Sequence, residues 1–264
     1  MSSESSFDCR RHNANNTRPY LSIIRHLMVR MNANLQPFRE QLSRSDWFRV
    51  LPDALQADLL AHAELVRLEA KQILFRRGDG PCGLYAVLKG ALAVGAVDAA
   101  GKEALLTLAE PTTWFGEISL FDGLPRTHDA IAVGNTLLLR VPQAALHNLL
   151  DTTPRYWRDF ALLMAQKLRF SFIHAEAMSL LPAAQRLACR LLMIAEGYGG
   201  ISVGQSTIKL SQERLATLLS LSRQTTNQLL KDLEGRGVVQ LQIGAIEILD
   251  LGKLRLATEG LATD

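Results

Sequence analysis

The amino-acid sequence predicts an α+β protein with an N-terminal β jelly roll, a long helix and a C-terminal winged helix-turn-helix domain. Three observations indicate this fold: short apolar runs separated by turn residues over 66–141, a seam of apolar and small residues in the segment that follows, and two capped amphipathic helices near the C-terminus. Many short strands at regular spacing are typical of a jelly roll or sandwich. The chain of 264 residues is long enough for two ordinary domains.

Composition and charge restrict the classes of protein to consider. The net charge of +3 is unevenly spread, since residues 1–44 carry seven Lys or Arg against three Asp or Glu, whereas residues 45–154 carry nine against thirteen. Basic flanks around an acidic middle are compatible with nucleic acid. The chain has no run of about 18 apolar residues and no secretory signal pattern. We therefore expect a cytoplasmic protein without a membrane partner.

The N-terminal extension covers residues 1–44. Its first 18 residues are rich in Ser, Asn and Arg without periodicity, which indicates disorder. The apolar pattern over 20–31 predicts a short amphipathic helix, and Pro37 is expected to end any helical structure there. The jelly roll, predicted at 45–153, begins with a helix over 53–64.

Seven short apolar runs predict the strands of the jelly roll, and glycine-containing turns separate several of them. The predicted strands are Val66–Leu68, Ile73–Arg76, Leu84–Leu88, Ala91–Val97, Ala104–Ala109, Ala130–Val133 and Thr136–Val141.

A segment rich in polar groups lies between the fifth and sixth of these strands. It offers free backbone N–H groups near Gly116, the carboxylate of Glu117, the guanidinium of Arg126 and the hydroxyl of Thr127. Arginine and backbone amides bind phosphate, and a carboxylate accepts a hydrogen bond from a sugar hydroxyl. The segment therefore predicts a site for a compact anion that carries a sugar.

One long helix is predicted over 154–181, and Pro154 suits its first turn. Small and apolar residues recur along it at alternating spacings of three and four, which is the pattern of a coiled-coil seam. We expect this seam to join two copies of the chain rather than to pack on its own domain. The seam residues are Ala161, Met164, Leu168, Ser171, Ala175 and Met178.

A second domain is predicted at 182–264, because Pro182 breaks the long helix and a new helical pattern covers Ala184–Ala195. Ser211 and Ser222 are each placed as the N-cap of a following helix. These two helices bury leucines, and Gly235–Gly237 ends the second one. The apolar runs at 238–243 and 246–249 predict a β-hairpin, which completes a winged helix-turn-helix.

The second helix of this pair presents a polar face that can read DNA. Arginine pairs with guanine through two hydrogen bonds, and glutamine or asparagine pairs with adenine in the same way. An ordinary solvated helix face is the alternative, but the caps, the apolar backing and the amide-rich face occur together. The predicted DNA-contacting residues are Ser211, Ser222, Arg223, Gln224, Thr225, Asn227, Gln228 and Lys231.

On these motifs the chain resembles the cyclic-AMP receptor protein / fumarate-nitrate regulator (Crp/Fnr) family of bacterial transcription regulators. The resemblance covers about residues 45–255 and is strong in domain order and in two motifs, Phe115-Gly-Glu…Pro-Arg-Thr127 and Leu221-Ser-Arg-Gln-Thr225. It implies a homodimer joined along the long helix, a palindromic double-stranded DNA site, and RNA polymerase as a further partner. It implies no catalytic residue, no metal and no resident cofactor.

The resemblance also implies a cyclic nucleotide, such as cyclic AMP, as the effector. Carried over, Gly116 lends its backbone N–H, Glu117 accepts from the ribose hydroxyl, and Arg126 and Thr127 hold the phosphate. The long helix supplies a pair of adenine contacts at Ser171 and the next residue. The expected ligand-binding residues are Gly116, Glu117, Ile118, Ser119, Arg126, Thr127 and Ser171.

The chain departs from the family pattern at both sites. His128 and Asp129 follow the phosphate-binding pair, and a carboxylate there is expected to repel an anion unless His128 or Arg126 neutralises it. Phe172 stands at the second adenine position, where it cannot form a hydrogen bond but can stack on a base. A regulator that binds DNA without a ligand, or responds to cyclic di-GMP, is therefore the alternative.

In the DNA-reading helix, Gln224 replaces a family glutamate that accepts from cytosine, and Gln228 replaces a second arginine. These changes predict a palindrome that is altered within each half, with a shift toward adenine.

Other sensor and enzyme classes lack their ligands in this sequence. An iron–sulfur cluster needs about four cysteines, and the chain has three widely separated ones, Cys9, Cys82 and Cys189. The six histidines are dispersed, so none is forced to bind haem. A cupin-type enzyme needs clustered histidine and carboxylate ligands, and the region 65–142 contains only His128.

Overall fold

The computed structural model describes residues 28–29, 36–97, 103–197, 207–208 and 210–260. The described strands of the N-terminal roll are β1 (Met28–Val29), β2 (Glu64–Leu68), β3 (Ile73–Phe75), β4 (Gly83–Lys89), β5 (Leu92–Val97), β6 (Glu103–Ala109), β7 (Trp114–Phe115), β8 (Asp129–Ala132) and β9 (Thr136–Pro142).

Two antiparallel sheets form the roll. One has the order β1-β2-β9-β4-β7 and the other the order β3-β8-β5-β6. All seven predicted strands are present, with ends that differ by one or two residues. β1 and β7 were not predicted, since a two-residue strand carries too little sequence to show a period.

The predicted helix over 20–31 is wrong at Met28–Val29. These residues are extended and pair antiparallel with Leu65 and Val66 at the edge of the first sheet. Pairing with an open sheet edge satisfies their backbone groups, which outweighs a short amphipathic pattern. The rest of that predicted helix, and the disorder predicted for residues 1–18, lie outside the described residues.

The roll is accompanied by helices α1 (Gln36–Leu42), α2 (Asp53–Ala61), α3 (Ile118–Asp122) and α4 (Gln143–Thr152). Pro37 does not end a helix as predicted. It lies in the first turn of α1, where a missing N–H costs nothing because that amide has no partner within the helix. Helix α4 was missed, because its N-cap is Pro142 and no side chain caps it.

The long helix, α5, spans Trp157–Leu180 and follows a 3₁₀ turn at Pro154–Tyr156. Its N-terminal half packs on the roll through Phe160 and Leu163. There Trp47, Phe160 and Trp114 form an aromatic cluster, in which the ring centroids of Trp47 lie 5.6 Å from Phe160 and 5.2 Å from Trp114. This packing anchors α5 to the N-terminal roll.

The C-terminal domain contains helices α6 (Ala183–Ala195), α7 (Gln212–Leu218), α8 (Arg223–Gly235) and α9 (Leu251–Thr258), with strands β10 (Thr207–Ile208), β11 (Val239–Gln242) and β12 (Ala245–Ile248). The strand order is β10-β12-β11. Helix α9 was not predicted from sequence. Its N-cap Asp250 accepts from the Lys253 amide at 2.9 Å, a signal that was present but overlooked.

The C-terminal domain packs against the roll through strand β6. Leu108, which is buried, belongs to the same apolar cluster as the leucines of α7, and Leu105 packs against that cluster. Ala109, also on β6, is buried in a separate apolar cluster inside the roll. Strand β6 therefore contributes side chains to the apolar clusters of both domains.

Candidate functional site

A cavity of about 490 Å³ lies between the roll and the long helix. All seven residues predicted to bind a ligand line it, namely Gly116, Glu117, Ile118, Ser119, Arg126, Thr127 and Ser171. Much of the remaining lining is apolar and includes Phe75, Val94, Leu106, Ala109, Phe115, Met164, Leu168 and Phe170. The fold thus brings together the seven predicted residues, which are up to 55 positions apart in the chain.

Gly116 is required by the shape of the cavity wall. Its φ is +102°, which is unfavourable for residues with a side chain. A Cβ at this position would lie 2.7 Å from the Gly83 carbonyl oxygen and 2.9 Å from Nη1 of Arg126. Only glycine leaves room for the guanidinium beside the backbone.

Arg126 is almost fully buried, and its guanidinium already has several partners. Nη1 donates to the Gly116 carbonyl oxygen at 2.9 Å, and Nη2 donates to the Gly83 carbonyl oxygen at 2.6 Å. The guanidinium carbon lies 4.7 Å from the centroid of the Phe75 ring. Among the described residues, Nε of Arg126 has no hydrogen-bond partner. The arginine is thus held in place with one donor unused.

Cys82 and Tyr85 complete the surroundings of the Arg126 guanidinium. Nη2 of Arg126 lies 3.2 Å from the Cys82 sulfur, which also accepts from the Tyr85 hydroxyl at 3.2 Å. Burial, followed by the neighbouring Cys82, raises the pKa of Tyr85. The tyrosine therefore stays protonated and remains a donor. Neither residue was predicted, because their role depends on contacts about 40 residues away in sequence.

Glu117 is 2% exposed and forms an ion pair with Lys167 of the long helix, at 2.7 Å between Oε2 and Nζ. Lys167 was not predicted as a site residue. The sequence did contain a signal, since Lys167 lies one helical turn before Ser171 and therefore on the same face. The Ser171 hydroxyl donates to the Lys167 carbonyl oxygen at 2.9 Å. This ion pair connects the roll directly to α5.

His128 and Asp129 lie in different surroundings. The Asp129 carboxylate accepts from the Arg77 backbone amide at 2.7 Å, and Asp129 does not line the cavity. This carboxylate is thus bonded to the backbone that follows β3, and its repulsion of an anion stays a prediction. His128 does line the cavity, and burial, together with Arg77, lowers its pKa against the effect of Asp129.

The two aromatic residues that flank Ser171 point to different surroundings. Phe170 lines the cavity, although it is not among the residues predicted to bind a ligand. Phe172 is 65% exposed and does not line the cavity of its own chain. Base stacking by Phe172 therefore has no support within a single chain.

In the C-terminal domain, the predicted caps are present. The Ser211 hydroxyl accepts from the Arg214 amide at 3.3 Å, and the Ser222 hydroxyl accepts from the Thr225 amide at 3.0 Å. Leu230 and Leu233 bury one face of α8. The caps and the buried leucines together fix the direction in which the opposite face of α8 points.

That opposite face is exposed at Arg223, Gln224, Gln228 and Lys231. Asn227 differs, because its Nδ2 donates to Oε1 of Gln212 on α7 at 2.7 Å. It therefore joins the two helices in this structure. Sequence alone could not show this contact, which depends on the angle between α7 and α8.

The wing is the hairpin of β11 and β12. β11 is one residue shorter at each end than predicted, and β12 has the predicted length but begins and ends one residue earlier. Its turn consists of Ile243, which is fully exposed, and Gly244 with a φ of +74°. Oε1 of Glu234 accepts from the Leu241 amide at 2.8 Å and so ties the wing to the end of α8.

The described residues contain no group of three or more His, Cys, Asp or Glu side chains placed to hold a metal ion. None of their helices is both long and apolar enough to cross a membrane.

Comparisons with known proteins agree with this arrangement. Residues 65–153 match the family model for the cyclic nucleotide-binding domain, and residues 185–257 match that for the Crp-like helix-turn-helix domain. The chain is similar to the cyclic AMP receptor protein of Thermus thermophilus, with 30% identity over 190 residues that cover 72% of this chain and 85% of the relative.

Two further similarities extend over most of the chain. The CRP-like cAMP-activated global transcriptional regulator of Mycobacterium tuberculosis is 28% identical over 217 residues, covering 81% of this chain and 97% of the relative. A solved structure of a CRP/FNR family transcriptional regulator, also from Thermus thermophilus, superposes with a TM-score of 0.57 and 26% identity, covering 74% of this chain and 98% of that one.

The cavity, the long helix and the capped helix pair therefore occur in the order that these relatives share. None of the three relatives is named as an enzyme. The chain belongs to the Crp/Fnr family and is a transcription regulator with a cyclic-nucleotide-binding-type domain and a Crp-like helix-turn-helix.

Proposed function

We propose that the protein is a homodimeric regulator whose affinity for palindromic DNA is set by a small ligand in the 490 Å³ cavity, and that this ligand is a cyclic nucleotide. One observation carries the proposal. The same cavity is lined by Arg126 and Glu117 from the roll and by Lys167 and Ser171 from the long helix. A ligand there contacts both the sensor domain and the helix that leads to the DNA-binding domain.

The chemistry of the lining supports a cyclic nucleotide. Arg126, Thr127 and the backbone near Gly116 offer donors to a phosphate, while Glu117 offers an acceptor to a ribose hydroxyl. The apolar side chains suit a base. The volume lies within the range of about 300–1,000 Å³ that is typical of small-molecule pockets. Two relatives are named for cyclic AMP, which adds to this support.

Ligand binding has to rearrange the site. In the structure, Glu117 is paired with Lys167, and Arg126 donates to two carbonyl oxygens. A ribose hydroxyl at Glu117 would share or replace the Lys167 contact, and a phosphate at Arg126 would compete for its donors. Both exchanges act on α5 or on the cavity wall, which gives the ligand a means to change the position of the helix.

Dimerisation is proposed along α5. Leu168 and Leu180 are exposed on this helix in the single chain, at 51% and 73%, and Ser171 and Ala175 of the seam are exposed as well. Burial of such a surface against a second copy is favourable. In the dimer, the two α8 helices would enter successive major grooves about 34 Å apart. RNA polymerase is proposed as a further partner of the DNA-bound dimer.

A second reading is that the protein binds DNA without cyclic AMP, or that cyclic di-GMP controls it. The observation that favours it is that Arg126 and Glu117 are already satisfied internally, while Phe172 lies outside the cavity. A ligand must bind the DNA-competent state better than the other state, or the equilibrium does not shift.

The test combines calorimetry with site selection. Isothermal titration calorimetry of the full-length protein with cyclic AMP, cyclic GMP and cyclic di-GMP identifies the effector. If none of the three gives a heat of binding, the ligand-gated proposal is removed. Selection of bound DNA from a random pool, with and without each nucleotide, then shows gating and gives the site. Selection of an unaltered family consensus would contradict the roles given to Gln224 and Gln228.

A further inference from the structure

Phe170 lies between the ligand cavity and the DNA-binding domain. Phe170 lines the cavity, and the guanidinium carbon of Arg190 lies 5.0 Å from the centroid of its ring. Phe170 belongs to α5, whereas Arg190 belongs to α6, the first helix of the C-terminal domain. One side chain therefore contacts the ligand space on one side and the DNA-binding domain on the other.

Arg190 depends on this ring. The residue is only 2% exposed, and among the described residues neither its Nε nor its Nη1 has a hydrogen-bond partner. Burial lowers its pKa to about 10, although the neighbouring Cys189 acts in the opposite direction. A buried cation without a counter-charge is costly. The face of an aromatic ring offsets part of that cost.

The ring of Phe170 has a second aromatic partner. His174, one turn further along α5, stacks on it with 6.2 Å between the ring centroids and 7° between the planes. Burial, followed by Arg190, lowers the pKa of His174, so the imidazole is a neutral stacking partner at pH 7. A displacement of the Phe170 ring therefore changes its contacts with both Arg190 and His174.

We propose that Phe170 is a positioning residue that couples occupancy of the cavity to the orientation of the DNA-binding domain through Arg190. The inference rests on the proposed ligand gating. A ligand that presses on the cavity side of the ring moves it relative to the guanidinium. The contact then favours one orientation of α6 over another, which is the differential interaction that gating requires.

The first experiment measures the coupling itself. Affinity for a DNA fragment chosen by selection is determined by fluorescence anisotropy with and without saturating cyclic AMP. The ratio of the two affinities is compared among variants of the full-length protein. Phe170→Leu and Arg190→Met are expected to reduce the ratio about 2-fold to 30-fold, the range that cation–π contacts provide.

Matched variants separate coupling from a general loss of packing. Leu162→Ala removes a largely exposed apolar side chain of the same helix that does not line this cavity, and its ratio should equal that of the wild type. Arg190→Lys keeps a cation over the ring and should restore part of the ratio. The double variant, Phe170→Leu with Arg190→Met, should reduce the affinity ratio no more than either single variant does. Wild-type ratios in both Phe170→Leu and Arg190→Met would overturn the proposal.

A second arm needs no nucleotide, so it distinguishes this proposal from the identity of the effector. If cyclic AMP does not change the DNA affinity of the wild type, cyclic AMP is not the effector. The coupling is then measured as the effect of DNA binding on the cavity, because linkage between two sites is reciprocal. Hydrogen exchange of the cavity-lining peptides 104–109 and 164–171 is measured before and after addition of DNA. DNA should change exchange in the wild type and in Leu162→Ala but not in Phe170→Leu. An equal response in all three, or none in the wild type, overturns the coupling.

Discussion

At the scale of single residues, the cavity is defined by groups whose positions depend on one another. Gly116 leaves the space that the Arg126 guanidinium occupies, and Cys82 and the carbonyl oxygens of Gly83 and Gly116 hold that guanidinium. Glu117 is held in the same way by Lys167. A change at one of these residues is therefore expected to disturb the others, and the cavity with them.

Gly116→Ala should destabilise the protein by more than about 3 kcal/mol, because a strained backbone conformation is combined with overlap at the Gly83 carbonyl oxygen. Gly123→Ala is a matched control, since Gly123 also has a positive φ, of +67°, but nothing lies within 4 Å of the added Cβ. It should cost about 1 kcal/mol. Urea denaturation measures both values, and equal costs would contradict the steric role of Gly116.

Histidine titration predicts a loss of stability in mild acid. The pKa values of His128 and His174 are lowered, mainly by burial, so the unfolded chain binds protons before the folded chain does. Their contribution to the free energy of unfolding is present above about pH 6.5 and decreases as the pH falls toward the lowered folded-state pKa values. The free energy of unfolding should therefore decrease as the pH falls below about 6.5, and less so in His128→Asn/His174→Asn. An unchanged pH dependence in that variant would contradict the assignment.

At the scale of secondary-structure elements, helix α8 combines two roles in one sequence. Ser222, Leu230 and Leu233 fix it in the domain, whereas Arg223 and Lys231 are left exposed on the other face. Arginine at the N-terminal end of such a helix reads base edges, and a lysine two turns later reaches a phosphate. The two cations are thus expected to differ in what they contribute to DNA binding.

Arg223→Ala should weaken binding to the selected site by about 1–3 kcal/mol and relax preference at one base pair of each half-site. Lys231→Ala should weaken binding to all sequences and lower the slope of log K against log salt by about 1. Anisotropy titrations at several salt concentrations, with matched and altered half-sites, measure both effects. A uniform loss across sequences in Arg223→Ala would contradict base reading by this residue.

The elements show what sequence could and could not establish. Strands β2 to β6, and the caps of α7 and α8, were predictable because turn residues and serines mark their ends. Six of the seven residues expected to bind a ligand come from one motif, and Ser171 comes from the family resemblance; all seven line one cavity. Lys167, Phe170 and Cys82 were missed, since their roles come from distances across the fold. Strand β1 was missed, because only an open sheet edge explains it.

At the scale of the whole molecule, the sensor and DNA-binding domains meet at strand β6. Leu106 and Thr107 line the cavity, while Leu105 and Leu108 pack on the cluster that contains α7. In the pairing of β5 with β6, Val94 lies opposite Thr107 and Gly95 lies opposite Leu105, so Leu106 has no partner on β5. With this irregularity, Leu106 lines the cavity, while Leu105 and Leu108 pack against the C-terminal domain.

Leu108→Ser should loosen the contact between the domains, because it places a hydroxyl in a buried apolar cluster. Hydrogen exchange is expected to rise at least about 10-fold in residues 212–218, which corresponds to a loss of about 1.4 kcal/mol. Ile73→Ser, on a more exposed position of the second sheet, is the control and should leave exchange of α7 unchanged. Unchanged exchange in Leu108→Ser would show that the two domains do not depend on this contact.

The arrangement of β6 also constrains how this regulator can evolve. A substitution that adapts the cavity to another ligand through Leu106 or Thr107 also shifts the backbone that carries Leu105 and Leu108. Under the proposed gating, ligand preference and the response of the DNA-binding domain would therefore change together at this strand. New ligand specificity without a change in response has to arise elsewhere in the cavity wall, at residues with no contact to the winged domain.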